Sequence, residues 1–303
     1  MRADRTAIAA ALLRNLLLLL AVAVGVFLLL RALPGDVVDT LAAEGDLDED
    51  AKAALRTELG LDRPLAWQFF AWAGRALHGD LGESLRFHQP VADMLADALP
   101  TTLGFAARAL GLGLSLGVAL SVLAILRPRP FAAIVQALNV WSIALPSFCV
   151  GLAGILVFSV WLHWLPAHGG MLVPVIVVAL DIAGHLAKPL TAELQELVTA
   201  PFISHAHARG LHPLRVVLKH LLANAAPVAL SLAGLIVSGL LAGTLTMEVL
   251  FNLPGLGMLA LQAIEGRDSP IVQAVILVCA LSVVGVNAGV DLAMAVLDPR
   301  SRT

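Results

Sequence analysis

The sequence predicts an all-α integral membrane protein, and three observations carry that prediction. Of its 303 residues, 59% are apolar and only 14% are charged, against about 25% charged in soluble domains. Apolar segments long enough to cross a bilayer recur along the chain, with a mean hydropathy of +0.90. In hydrocarbon each backbone group must be satisfied within its own segment, which helices achieve and open sheets do not.

The apolar pattern marks about six spans, near 8–30, 101–126, 131–160, 171–187, 227–247 and 270–297. The first has Arg2, Arg5 and Arg14 ahead of "LLLLLAVAVGVFLLL" and so resembles a signal peptide. Its A-x-A, Ala21–Ala23, lies inside the apolar run, so an uncleaved span is the better reading. Segment 31–100 is polar and acidic. Within it, "DEDAKAALRTEL" starts with acids and continues with apolar spacing, while "RPLAWQFFAWAGRAL" sets Pro64 at the start of an aromatic amphipathic helix. A small helical cap over the external mouth is expected.

Cationic residues give the orientation. Arg127 and Arg129 fill the short "RPRP" connection; Lys188, Arg209, Arg215 and Lys219 lie in 188–226; Arg300 and Arg302 end the chain. Segment 248–269 carries Glu248, Glu265 and Asp268 against Arg267. The positive-inside rule puts both termini, "RPRP" and 188–226 in the cytoplasm.

Several sharp readings fail on context. No G-x-x-x-x-G-K-[ST] occurs, so this chain has no P-loop. "GLSLG" (Gly113–Gly117) matches the serine-hydrolase elbow, but it lies mid-span, where its glycines suit close helix approach. Cys149 and Cys279 sit in apolar runs, as small packing residues would. Asp181 and Asp291 are acids in apolar surroundings. An intramembrane aspartyl protease would need two carboxylates sharing a proton, and nothing else supports it. Asp291 falls near the cytoplasmic end of its span. Asp181 is more central, with Pro174 and Gly184 loosening the helix on either side. It belongs at a helix interface or a water-filled pathway, because facing lipid would cost about 2.5–3.5 kcal/mol.

"SHAHARGLHPLRVVLKH" (Ser204–His220) is the odd segment, with four histidines and the cations Arg209, Arg215 and Lys219 in an apolar host. A metal site lacks a ligand set, since Gly210 and Pro213 interrupt any shared helical face. A DNA-reading helix-turn-helix lacks room between two spans. A helix over about 189–208, ended at Gly210 and followed by a second helix from Pro213, makes a slim, basic corner suited to docking a partner.

These residues resemble the EAA loop of binding-protein-dependent ABC importer permeases of the dipeptide/oligopeptide/nickel group. Glu196, Ala206, Ala208, Gly210, Leu211, Val216, Leu218, His220, Asn224 and Pro227 fit its pattern. So do "LPGD" (Leu33–Asp36), "LGLDRPL" (Leu59–Leu65), "GDLGES" (Gly79–Ser84), "LPTTL" (Leu99–Leu103), "EVLFNLPGLG" (Glu248–Gly257), "RDSPIVQ" (Arg267–Gln273) and "LDPR" (Leu297–Arg300). The sequence departs from the pattern at Ser204, His205 and His207, at Pro201 where an acid is common, and by one residue fewer between Asn224 and Pro227. Asp181 is not a residue of that pattern.

The resemblance implies a type I ABC importer permease fold. Residues 1–30 would form an N-terminal transmembrane helix, 31–100 an external helical segment, and 101–303 a core of five spans with a coupling loop over about 189–226. It implies ATPase coupling through Ser204, His205, Ala206, His207, Ala208, Arg209, Gly210 and Arg215. Asp181, Glu248, Asn252 and Asp291 are the candidates for the translocation pathway. Implied partners are a second, heterodimeric permease, two cytosolic ATPases that bind ATP and Mg, an external solute-binding protein and membrane lipid, with no nucleic acid. The chain itself would bind no cofactor and catalyse nothing, working in the inner membrane as a multi-pass protein. Peptides are the first solute, nickel or another small solute the second; the other class is a secondary transporter without an ATPase. Cysteines placed near positions 60 and 260 are expected to react with an impermeant thiol reagent from outside, and those near 128 and 205 are not. Labelling at 205 in intact cells would reverse the orientation.

Overall fold

The structure is a computed structural model that describes residues 2–32, 38, 49–58 and 60–297, with side chains from Leu13 onward except at 49, 55, 58, 207, 241, 242, 291 and 293–297. The "LPGD" motif and the end of "LDPR" lie outside the described residues. The chain forms two compact units, Met1–Thr101 with Pro254–Val284, and Thr102–Leu253 with Gly285–Thr303. All regular structure among the described residues is helical apart from a single bridge between Glu83 and Pro90.

The first unit contains α1 (Arg2–Ala32), α2 (Glu49–Glu58) and α3 (Leu65–Leu77), with α11 (Leu256–Glu265) and the start of α12 (Ser269–Leu297). Both helices expected from the sequence of segment 31–100 form. Pro64 caps α3 from outside its first turn, at φ −53°, where a missing N–H costs nothing. Gln68 closes the preceding loop by donating to the carbonyls of Leu61 (3.1 Å) and Arg63 (2.7 Å). Gly60 adopts φ +65° there, under the ring of Trp67. Two motifs distant in sequence meet in this unit: Ser84 Oγ donates to Asp268 Oδ2 at 2.6 Å, both residues being fully buried. A hydrogen bond to a charged group contributes about 1.5–3 kcal/mol, so "GDLGES" and "RDSPIVQ" brace each other.

The second unit is organised around α7 (Leu172–Val198), with the later part of α4 (Val91–Leu126), α5 (Pro128–Ala144), α6 (Ser147–Gly154) and α10 (Leu222–Leu250) packed on it. Small residues let the backbones approach. A Cβ on Gly113 of α4 would lie 2.7 Å from Ile182 and 2.8 Å from the Ala179 carbonyl, and one on Gly117 would touch Leu186 at 3.0 Å. The small-residue reading of "GLSLG" therefore holds. On another side of α7, a Cβ on Gly184 would meet Ser142 Oγ at 2.6 Å and the Leu138 carbonyl at 2.8 Å. Polar side chains stitch the same contacts: Asn139 Nδ2 donates to the Gly184 carbonyl and Ser121 Oγ to the Ala187 carbonyl.

Among the described residues, five helices are long and apolar enough to cross a membrane, or six if one bent pair counts as a single span. That pair corrects the expected helix over 131–160. The chain breaks at Leu145–Pro146 and bends by 99° between α5 and the helix that follows. Pro146 supplies no N–H and forces the residue before it out of the helical region, which puts Leu145 at φ −116°, ψ 118°. Beyond the break, α6 runs into a π-helical stretch at Ile155–Trp161. The helix expected over 189–208 is also corrected: α7 continues through Pro189 to Val198, and α8 (Pro201–Ala208) is a separate short helix. Gly184 does not loosen α7, because it is the contact point with α5. Pro174 lies in the first turn of α7, where a proline is tolerated. Cys149 is exposed rather than packed.

The packing gives a direct test. Gly184→Ala is expected to destabilise the folded chain by about 1–3 kcal/mol through overpacking, lowering its thermal midpoint in detergent. Gly111→Ala, whose added carbon meets nothing within 4 Å, is expected to leave the midpoint unchanged or raise it slightly.

Candidate functional site: a coupling corner and a polar helix face

The basic corner is built between α7 and α10. α8 ends with Arg209 N donating to the His205 carbonyl (3.2 Å) and Leu211 N to the Ala206 carbonyl (3.4 Å). Gly210 takes φ +69°, the left-handed conformation that stops a helix at little cost when no Cβ is present. The chain restarts at α9 (Pro213–Val216), with His212 as its N-cap: the ring Nδ1 accepts from Leu214 N at 3.3 Å. Sequence reasoning missed that role, because histidine is not among the usual cap residues. α9 passes into a π-helical turn, Val217–Leu221, and then into α10.

Burial separates the predicted coupling residues into two sets. Ala206 is buried, together with Ile203, Val216, Val217 and Leu221, against Leu186, Leu190 and Leu194 of α7 and Val122 of α4. Its small side chain therefore faces the chain's own core. Ser204, His205, Ala208, Arg209, Gly210 and Arg215 are exposed. His205 turns its ring back on the helix, Nδ1 donating to the Pro201 carbonyl at 2.9 Å. The side chain of His207 lies outside the described residues. No group of three metal-ligating side chains occurs among the described residues. The corner is thus a short exposed element mounted on a continuous apolar core.

The pathway candidates do not share one environment. Asp181 stands on the single exposed face of α7, followed by His185 and Lys188 at helical spacing. His185 Nδ1 is 3.7 Å from Asp181 Oδ1 and donates to the Asp181 main-chain carbonyl at 2.9 Å. The side chains of Asp181 and His185 are 29% and 45% exposed. Lys188 Nζ donates to Gln136 Oε1 of α5. His185 was not singled out from sequence, although its i, i+4 spacing from Asp181 was a legible signal. Glu248 is fully buried near the end of α10, and its carbonyl accepts from Leu253 N at 2.8 Å. Asn252 is exposed at φ +51°, in the turn that ends α10. That is a conformation asparagine adopts more readily than most residues. Asp291 lies near the C-terminal end of α12, and its side chain is outside the described residues.

Residues 109–303 match the family described as binding-protein-dependent transport system inner membrane component. Residues 6–106 match the N-terminal part of such membrane components. The chain belongs to this family, the membrane permease subunits of ABC importers. It is similar to a protein of Brucella abortus (strain 2308) that carries the name of a peptide transport system permease, with 34% identity covering 94% of this chain and 95% of the relative. A protein of Brucella ovis that carries the name of a peptide permease is 35% identical over 95% of this chain and 96% of its own. The glutathione transport system permease protein GsiC of Escherichia coli O6:H1 is 33% identical over 94% of each. The chain is thus a multi-pass inner-membrane protein without enzymatic activity of its own, and its transport system includes a binding protein and an ATPase.

The Asp181 face generates a prediction. Asp181→Asn keeps size and hydrogen bonding but removes the charge. It is expected to assemble and support ATP hydrolysis yet lose uptake of solutes carrying a free ammonium or metal charge, measured in reconstituted vesicles. Normal import by the Asn variant, with failed assembly of Asp181→Leu, would make the residue an interhelical contact instead.

Proposed function

We propose that this chain is one of two permeases, paired as a heterodimer, of an importer that moves peptides across the inner membrane. An external binding protein delivers the solute, and two cytosolic ATPases bind ATP and Mg and drive the cycle. Both termini and the α8–α9 corner face the cytoplasm, and the corner seats in a cleft of an ATPase. One observation carries the reading: α7 bears the polar face of Asp181, His185 and Lys188 along its length and is continuous by packing with the corner at its C-terminal end. An ATPase that moves the corner therefore moves the helix bearing that face.

The exposed side of α7 changes character along the helix, from Leu172 and Ile176 to Asp181, His185 and Lys188. A charged stretch turned to lipid is costly, whereas a hydrated pathway or a facing permease accepts it. ATP-bound and ATP-free partners bias such a core only as far as they bind its two states differently. Peptides are favoured as solute by the peptide and glutathione permeases among the relatives. Peptides also carry both an ammonium and a carboxylate, which an acid, a histidine and a lysine on one face can meet.

The experiment replaces Gly210. Gly210→Val adds a β-branched side chain at φ +69°, and the described residues offer no obstacle within 4 Å of the new Cβ. ATP hydrolysis is expected to uncouple from uptake, with the ATPases still bound. Gly210→Asn tolerates the left-handed backbone while still adding bulk, so it separates local strain from loss of fit. Normal coupled transport by both variants would remove the docking assignment.

A further inference from the structure

The first unit holds a cavity whose chemistry differs from that of the α7 face. About 690 Å³ in volume, it opens among the end of α1, α3, the 81–85 loop and the start of α12, a size typical of ligand sites. Among the described residues its walls carry Arg31, Arg63 and Arg75 and the carboxylate of Glu83. The surrounding sequence makes this concentration notable: residues 31–100 contain 13 Asp/Glu and six Lys/Arg, and half of those cations line a single cavity.

Aromatic rings complete the walls. Arg31 lies 5.6 Å from the Phe27 ring centroid and Arg63 lies 5.4 Å from that of Trp67, while Phe27 and Trp72 stack at 6.3 Å. Stacking engages the face of a guanidinium, whereas anions meet its N–H edge, so the two contacts are compatible. Gln68 lines the same cavity, is 8% exposed, and its buried Oε1 accepts no hydrogen bond among the described residues. The cavity therefore offers cations to an anion and an acceptor to a hydroxyl.

Depth in the membrane selects the ligand. Phe27 and Arg31 occupy the last turns of α1, whose membrane-spanning stretch ends at Ala32, the level at which headgroups and aromatic anchors meet. Leu28 and Leu29, next to Phe27, are exposed along the same span. Basic pockets at this level suit anionic headgroups. We propose that this cavity binds the phosphate and hydroxyl-bearing headgroup of an anionic phospholipid, its acyl chains lying along α1. The phosphodiester sits among Arg31, Arg63 and Arg75, and a headgroup hydroxyl donates to Gln68 Oε1.

The test uses the complete transporter in detergent, titrated with phosphatidylglycerol, with phosphatidylcholine as control and bound lipid counted by native mass spectrometry. Phosphatidylglycerol is expected to bind in preference. Arg63→Gln with Arg75→Gln should weaken it about thirtyfold, about fivefold per cation removed, and Glu83→Gln should strengthen it. Absence of a preference for phosphatidylglycerol, or equal binding by wild type and the double variant, overturns the proposal. Glycerol 3-phosphate distinguishes a lipid from a soluble phosphate: lipid retained against an equal concentration upholds the proposal, and displacement overturns it. Should the arginine variants fail to assemble, Glu83→Gln alone decides, tighter binding upholding the site and unchanged or weaker binding overturning it.

Discussion

The rest of the second unit depends on how closely other helices approach α7. In a membrane, burying apolar surface gives little drive for helices to associate, so packing and interhelical hydrogen bonds must hold them. α7 meets that need on two sides with backbones brought together by absent side chains: Gly113 and Gly117 of α4 on one, its own Gly184 against α5 on the other. Ser121 and Asn139 then bond directly to α7 carbonyls. α6 adds a contact of the same type, where Gly154 leaves room for Val173.

Close packing on most sides determines what the remaining side can carry. Ile182, Leu186, Leu190 and Leu194 of α7 turn into the unit, at 3% exposure or less. Asp181, His185 and Lys188 are left together on the outward face. Their grouping follows from helix periodicity once the buried face is fixed. A carboxylate, an imidazole and an ammonium on one strip suit a hydrated route better than hydrocarbon.

The same helix supports the corner. Leu186, Leu190 and Leu194 form one core with Ile203, Ala206, Val216 and Leu221, so α8 and α9 do not hang from flexible links. A force applied at Arg209 or Arg215 reaches α7 through packed side chains, which resist deformation because protein interiors are dense. Glycine at 210 and proline at 213 make the corner tight. The buried Ala206 lets α8 lie against the core rather than stand off from it.

Much of this was legible in the residues. Composition and apolar runs determined a helical membrane protein, because hydrocarbon leaves the backbone few choices. Gly210 and Pro213 determined a turn between two helices, because only particular residues tolerate those positions, and the ordered motifs determined the family. The tertiary structure decided the rest. Pro189 reads as a helix start, yet α7 carries it to Val198, because packing on α4 and α10 outweighs one lost hydrogen bond. Leu145–Pro146 lies in a run as apolar as a span, yet the chain bends there. Ala206 looked like a surface residue of a slim corner and proved to be core, while Asn252 found its place in a left-handed turn. Asp268 acquired its partner Ser84 only on folding, because hydropathy along a chain records how apolar a segment is, and not which side of it another helix will cover.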